Sequence, residues 1–185
     1  MAWIETKEPA TATGRTKEVF ERIEKERGHI ANVFRAEGAE PDVLSHQVDM
    51  YVRLMMGPGP LSRKEREMIA VVVSAANTCA YGAVHHAEAL ESVENDQGAL
   101  TRLLQEYMSK HESPRSKALL AYSAKLTLNP KNVTKDDVDD LREAGLNDEE
   151  ILRANLIAAY FNLSNRISLG LGVEIERDKT RTYRY

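Results

Sequence analysis

Residues 67–86 read EMIAVVVSAANTCAYGAVHH, and the way this stretch folds decides the architecture. The valine triplet alone would nominate a strand. The preceding Ser62-x-x-Glu65 argues otherwise, because a hydroxyl followed three residues later by a glutamate is a capping box that opens a helix. A helix that turns almost wholly apolar at Met68–Val73 is buried on most sides. On one continuous helix Glu67 and Cys79 would lie about 18 Å apart along the axis, too far to share a site. Asn77-Thr78 offers a turn and a fresh N-cap, which predicts a hairpin with a second helix from Cys79 to about Val93. Glu67 lies ten residues before Asn77 and His86 nine after it, so the hairpin brings a carboxylate level with an imidazole.

Outward from this hairpin the helical period persists. Gly57-Pro58-Gly59-Pro60 is the strongest breaker in the chain. Before it, Val19, Phe20 and Ile23 line one face of a helix from Thr16 to about Arg27, which stops near Gly28. Ile30, Val33 and Phe34 suggest a short second helix closed near Gly38. Pro41 suits the first turn of a third. After the hairpin, helices are predicted at Gly98–His111, Ser113–Leu128, Thr134–Ala144 and Asp148–Leu169. No strand pair is evident. The expectation is an all-α chain of about seven or eight helices, one domain over residues 1–185, with an extended N-terminal arm over 1–14 and a C-terminal tail over 175–185.

Composition narrows the function classes. The 185 residues are 42% hydrophobic and 29% charged, an ordinary globular balance. Lys plus Arg is 25 against 29 for Asp plus Glu, a net charge of −4, which argues against a nucleic-acid partner. The longest apolar run, Met68–Ala76, is about half of the roughly 20 residues a spanning helix needs, and the N-terminus lacks a signal-peptide pattern. A soluble, cytoplasmic protein without a membrane partner is expected. The single cysteine, Cys79, excludes a disulfide within the chain.

Chemistry concentrates in the hairpin. A cysteine in the first turn of a helix meets free N–H groups and the positive end of the dipole, so Cys79 is expected to have a depressed pKa. Cys79 and His86 share a helix face two turns apart. Position 82 lies between them and is glycine, leaving space for water or substrate. Tyr81, Gly82 and His85 are the candidate pocket residues; Cys79, His86 and Glu67 are the candidate catalytic ones. Against this stands a plainer reading, in which a lone cysteine is buried filler and the histidines are structural. Adjacent histidines on a helix point about 100° apart and rarely chelate one ion, so no metal is expected. No cofactor motif is present, and no basic anchor for a substrate carboxylate is identifiable.

The stretch resembles the alkylhydroperoxidase D / carboxymuconolactone decarboxylase superfamily, and within it the peroxidase-related branch. That family's signature is a glutamate, eleven residues, then Cys-x-x-Cys-x-x-x-His. Here it stands as Glu67, eleven residues, Cys79, Gly82 in place of the second cysteine, and His86. The resemblance extends over most of residues 60–174. It implies an all-helical AhpD-like fold and a homo-oligomer (dimer, trimer or hexamer). It also implies reduction of a hydroperoxide, with Glu67 and His86 relaying protons, Cys79 at the resolving position and an external thiol as reductant. With Gly82 at the attacking position, three outcomes follow. The first is a one-cysteine peroxidase working through Cys79. The second is a cofactor-free acid/base enzyme like the decarboxylases, acting on a small acidic lactone or carbonyl compound. The third is a non-catalytic oligomeric binding protein that keeps the fold.

Overall fold

The computed structural model describes residues 2–95, 98 and 113–176. Among them there are eight α-helices and no strand. Helix α1 (Gly14–Arg27) ends at Gly28, whose φ of 78° only glycine adopts readily. The short α2 (Asn32–Ala36) is followed by α3 (Pro41–Tyr51), which opens on Pro41 and continues as a wider π-type turn over Val52–Met56. Helix α4 (Arg63–Ala76) starts at the expected capping box. Ser62 accepts from the Glu65 N–H at 3.2 Å, and Glu65 accepts from the Ser62 N–H at 2.7 Å. After α5 (Ala80–Glu94) come α6 (Pro114–Leu128), α7 (Lys135–Glu143) and the long α8 (Asp148–Gly170). The helix expected at Gly98–His111 lies outside the described residues, as does the tail from 177 onward.

The α4–α5 hairpin is the centre of the packing. Ile69, Ala70 and Val73 of α4 are fully buried against Ile157, Ala158 and Phe161 of α8 and Leu119 of α6. A second cluster joins Phe20 and Ile23 of α1 to Leu44 and Val48 of α3. A third ties α2 to the start of α5 through Ala31, Val33, Cys79, Tyr81 and Val173. The Gly-Pro breaker is held by buried Arg66. Its guanidinium donates to the carbonyls of Met55 at 2.9 Å, Gly57 at 2.7 Å and Leu61 at 2.9 Å, satisfying backbone groups that the break would leave open.

The ends of the chain differ in part from expectation. The N-terminal arm contains a 3₁₀ turn at Pro9–Thr11 and is tied down by backbone bonds from Trp3 to Leu171 and from Lys7 to Arg35. Residues 173–176, counted partly as tail, fold back onto α2 and α5. Among the described residues no helix is long and apolar enough to cross a membrane.

Candidate functional site

The turn between α4 and α5 is where the sequence pattern becomes a site. Asn77 closes α4, and its side chain donates to the Val73 carbonyl at 3.1 Å and to Asn162 of α8 at 3.0 Å. Thr78 then takes φ 55°, a left-handed conformation that costs a β-branched residue. That reversal lays α5 back along α4. Glu67 and His86 meet as the hairpin arithmetic anticipates, with His86 Nδ1 2.7 Å from Glu67 Oε2. The Glu67 side chain is fully enclosed and also accepts from Arg63 Nε at 2.7 Å. Burial pushes its carboxyl upward. The neighbouring His86 and Arg63 more than offset this, leaving it below the usual carboxylate range. Glu67 is therefore an ionised acceptor, and in neutral His86 the Nδ1 atom carries the proton.

Cys79 departs from expectation twice. It is the N-cap of α5 rather than part of its first turn, and it is 1% exposed among Ala31, Val33, Ala36, Tyr81 and Val173. Burial raises the thiol's pKa; the Gly82 and Tyr81 N–H groups pull the other way without overcoming it. The expected depressed pKa is thus replaced by a raised one. A helix N-terminus favours thiolate only modestly, whereas an apolar enclosure penalises charge strongly.

The space expected at Gly82 is also taken. A Cβ placed there would come within 2.6 Å of both Ser74 Oγ and Asn165 Oδ1. Gly82 lets α4 and α8 approach α5 closely, and its missing side chain is replaced by Ser74 and Asn165, which bond each other at 3.3 Å.

The open volume lies next to this packing. A cavity of about 70 Å³ is bordered by Tyr81, Gly82, His85 and His86 of α5, with Arg27 of α1 and Asn165 of α8 across from them. Cys79 and Glu67 are not in its wall. His86 presents its ring there, edge-on to Phe161 at 4.4 Å between centroids, and no described residue bonds its Nε2. Neighbouring His85 has its own carboxylate: its Nε2 lies 2.8 Å from Glu176 Oε2, while Glu176 Oε1 accepts from Tyr81 Oη at 2.9 Å and from the Asn32 N–H. Burial pushes the Glu176 carboxyl up, but His85 and the Asn32 N–H bring it down to about 2. Among the described residues no group of three His, Cys, Asp or Glu is placed to hold a metal ion. Arg27, Asn165 and Glu176 were missed by sequence reasoning. They come from distant parts of the chain and carry no local motif.

Residues 41–125 match the carboxymuconolactone decarboxylase family. The whole fold is similar to that of an uncharacterised peroxidase-related protein with an alkylhydroperoxidase AhpD core from Ralstonia eutropha JMP134. The TM-score is 0.84 and the identity 28%, covering 96% of this chain and 93% of that one. It is also similar to a peroxidase-related protein from Silicibacter sp. TM1040, with TM-score 0.81 and 29% identity over 98% and 99% of the two chains. The debrominase Bmp8 shares the fold at TM-score 0.80 and 18% identity, over 96% and 94%. No curated protein sequence matches the chain.

The carboxymuconolactone decarboxylase family region supplies α3 to most of α6, and with them Glu67, Cys79 and His86. Arg27, Asn165 and Glu176 lie outside it: the matched region brings the Glu67–His86 pair, Arg27 of α1 and Asn165 of α8 add to the cavity wall, and Glu176 holds His85 from behind it. With one cysteine in the chain, a dithiol cycle within a single chain is closed to this protein.

Proposed function

We propose that the protein is a cofactor-free general acid–base enzyme that moves a proton on a small carbonyl compound, with His86 as the proton carrier and Glu67 as its orienting partner. The observation that carries this reading is the division of the hairpin. His86 lines the cavity with Nδ1 held by Glu67, whereas Cys79 is outside its wall, enclosed in an apolar cluster whose Ala31, Val33 and Tyr81 face the cavity in its place. With the Nδ1 proton donated to Glu67, the lone pair of Nε2 is left for the cavity. It takes a proton from the carbon next to the carbonyl, and the bonding pair moves onto the carbonyl oxygen as an enolate. Glu67 stabilises the imidazolium that results, and the proton returns to carbon in the second half of the reaction. A positioned base of this kind contributes roughly 10²- to 10⁴-fold in rate. Phe161 and Tyr51 wall the site and strengthen these interactions by excluding water.

Hydroperoxide reduction at Cys79 is the second reading, favoured by the two peroxidase-related proteins of similar structure. In it the thiolate attacks a peroxide oxygen, the O–O bond breaks to give sulfenic acid and an alcohol, and an external thiol restores the cysteine. The thiol's enclosure and raised pKa weigh against it. The debrominase, a cysteine-to-alanine variant of which was solved with 2,3,4-tribromopyrrole, supports accommodation of a small organic ligand by this fold.

Exchange of the pyruvate methyl protons for deuterium in D₂O, followed by proton NMR, tests the first reading. Exchange is expected from the wild type and Cys79→Ser, and is expected to fall at least 100-fold in His86→Gln. Exchange at the uncatalysed rate with the wild type, together with thiol-dependent hydroperoxide turnover lost in Cys79→Ser, would establish the second reading instead. The homo-oligomer implied by the resemblance is supported by Leu152, Leu156 and Leu163, exposed along one face of α8. Light scattering reads the subunit number.

A further inference from the structure

The cavity wall contains a charge with no counter-charge. Arg27, in the last turn of α1, is only 7% exposed. Its Nη2 donates to Tyr51 Oη at 3.3 Å, and its Cζ lies 4.8 Å from the Tyr51 ring centroid. Its Nη1 is buried with no hydrogen-bond partner, and no described carboxylate pairs with the group. A buried guanidinium is costly unless paired. Neither the fold nor the His86–Glu67 pair uses this one.

A second orphaned donor borders the same cavity. Asn165 is 2% exposed and its Oδ1 accepts from Ser74, yet Nδ2 is buried without a partner. Arg27 of α1 and Asn165 of α8, each carrying an unsatisfied N–H donor, therefore border one space, and His86 lies on it too. Tyr51 links two of these groups, being stacked under Arg27 and 6.3 Å from the His86 ring, centroid to centroid. The remaining wall includes the apolar side chains Ala31, Val33 and Phe34.

We propose that Arg27 and Asn165 form a two-point oxygen-binding arrangement and that the ligand is a small oxo acid. Its carboxylate sits on the free edge of Arg27, and its carbonyl oxygen accepts from Asn165. One cation and one amide donor beside apolar side chains suit a singly charged organic anion. Arg27 is thus the basic anchor that the sequence did not reveal. The assignment rests on the acid–base reading only for the ligand's fate. In that reading Asn165 holds the oxygen on which the enolate charge develops.

Binding isotherms separate the two claims. Wild-type protein is titrated with pyruvate, with propionate, which lacks the carbonyl, and with pyruvamide, which lacks the charge. Pyruvate is expected to bind at least tenfold more tightly than either. In Arg27→Gln the advantage over pyruvamide should vanish; Arg27→Lys should retain part of it. In Asn165→Ala the advantage over propionate should vanish. Circular dichroism confirms that each variant folds, and if Arg27→Gln does not fold, the wild-type comparison with pyruvamide decides. Equal affinity for pyruvate and pyruvamide overturns the proposal. So does the absence of saturable binding by pyruvate, 2-oxobutyrate and levulinate. Tight pyruvate binding without deuterium exchange leaves the oxygen-binding arrangement standing and removes the role of His86. Exchange with equal affinities for all three probes does the reverse.

Discussion

Replacing Glu67 by glutamine perturbs a buried group that joins the core of α4 to the cavity through His86. In the wild type an enclosed carboxylate accepts from His86 Nδ1 and from Arg63 Nε, each at 2.7 Å. Hydrogen bonds to a charged group contribute about 1.5–3 kcal/mol each, and a neutral amide recovers about 1 kcal/mol. The variant should therefore be less stable by about 2–5 kcal/mol at pH 7. For a chain of this size that lowers Tm by roughly 4–20 °C. The pH dependence has a definite sign. The folded carboxyl lies below its ordinary value of about 4.3, so its contribution is fully present above that pH and is lost as pH falls through the folded value. The difference between wild type and Glu67→Gln should accordingly narrow toward pH 3. Urea unfolding followed by circular dichroism at pH 7, 5, 4 and 3 measures it. Equal stabilities at pH 7, or a gap that does not narrow in acid, would refute the claim that Glu67 is an ionised, doubly held acceptor.

Three further outcomes follow from the same geometry. Cys79 should react with iodoacetamide only slowly in the folded protein, with a pH midpoint above the free-thiol value of about 8.5; a midpoint below it would contradict the apolar enclosure. Gly82→Cys, which inserts a side chain against Ser74 and Asn165, should cost about 1–3 kcal/mol of stability by overpacking. An unchanged denaturation midpoint would show that Ser74 and Asn165 move aside freely. Glu176→Gln removes the charge and one of the two acceptor oxygens that His85, Tyr81 and the Asn32 N–H share, so amide exchange at Asn32 and over residues 173–176 should accelerate. Unchanged exchange would show that the Glu176 carboxylate does not hold the segment in place.

What the sequence revealed and what it concealed divide by distance along the chain. The Ser62–Glu65 capping box, the stop at Gly28 and the opening at Pro41 are local, and each is found where the pattern puts it. The Glu67–His86 contact is legible because a hairpin converts equal spacing from a turn into proximity. Arg27 looks like any last-turn cation of a surface helix, and only the approach of Tyr51 from α3 shows it to be buried. Asn165 and Glu176 meet partners 91 residues away, with no motif to announce it. The reading of Cys79 failed for a related reason. The helix N-terminus is visible in sequence, but the apolar wall from α2 and Val173 is not, and that wall sets the sign of its pKa shift.

The central claim is that the chemistry of the cavity belongs to His86 and not to Cys79. A pyruvate titration of protein labelled with ¹⁵N-histidine and ¹³C-cysteine tests it directly by NMR. The account predicts that His86 Nδ1 is protonated in neutral His86, that the Nε2 resonance moves saturably with pyruvate, and that the Cys79 Cβ resonance stays in place. A saturable shift at Cys79 with an unmoved His86 Nε2 would contradict it.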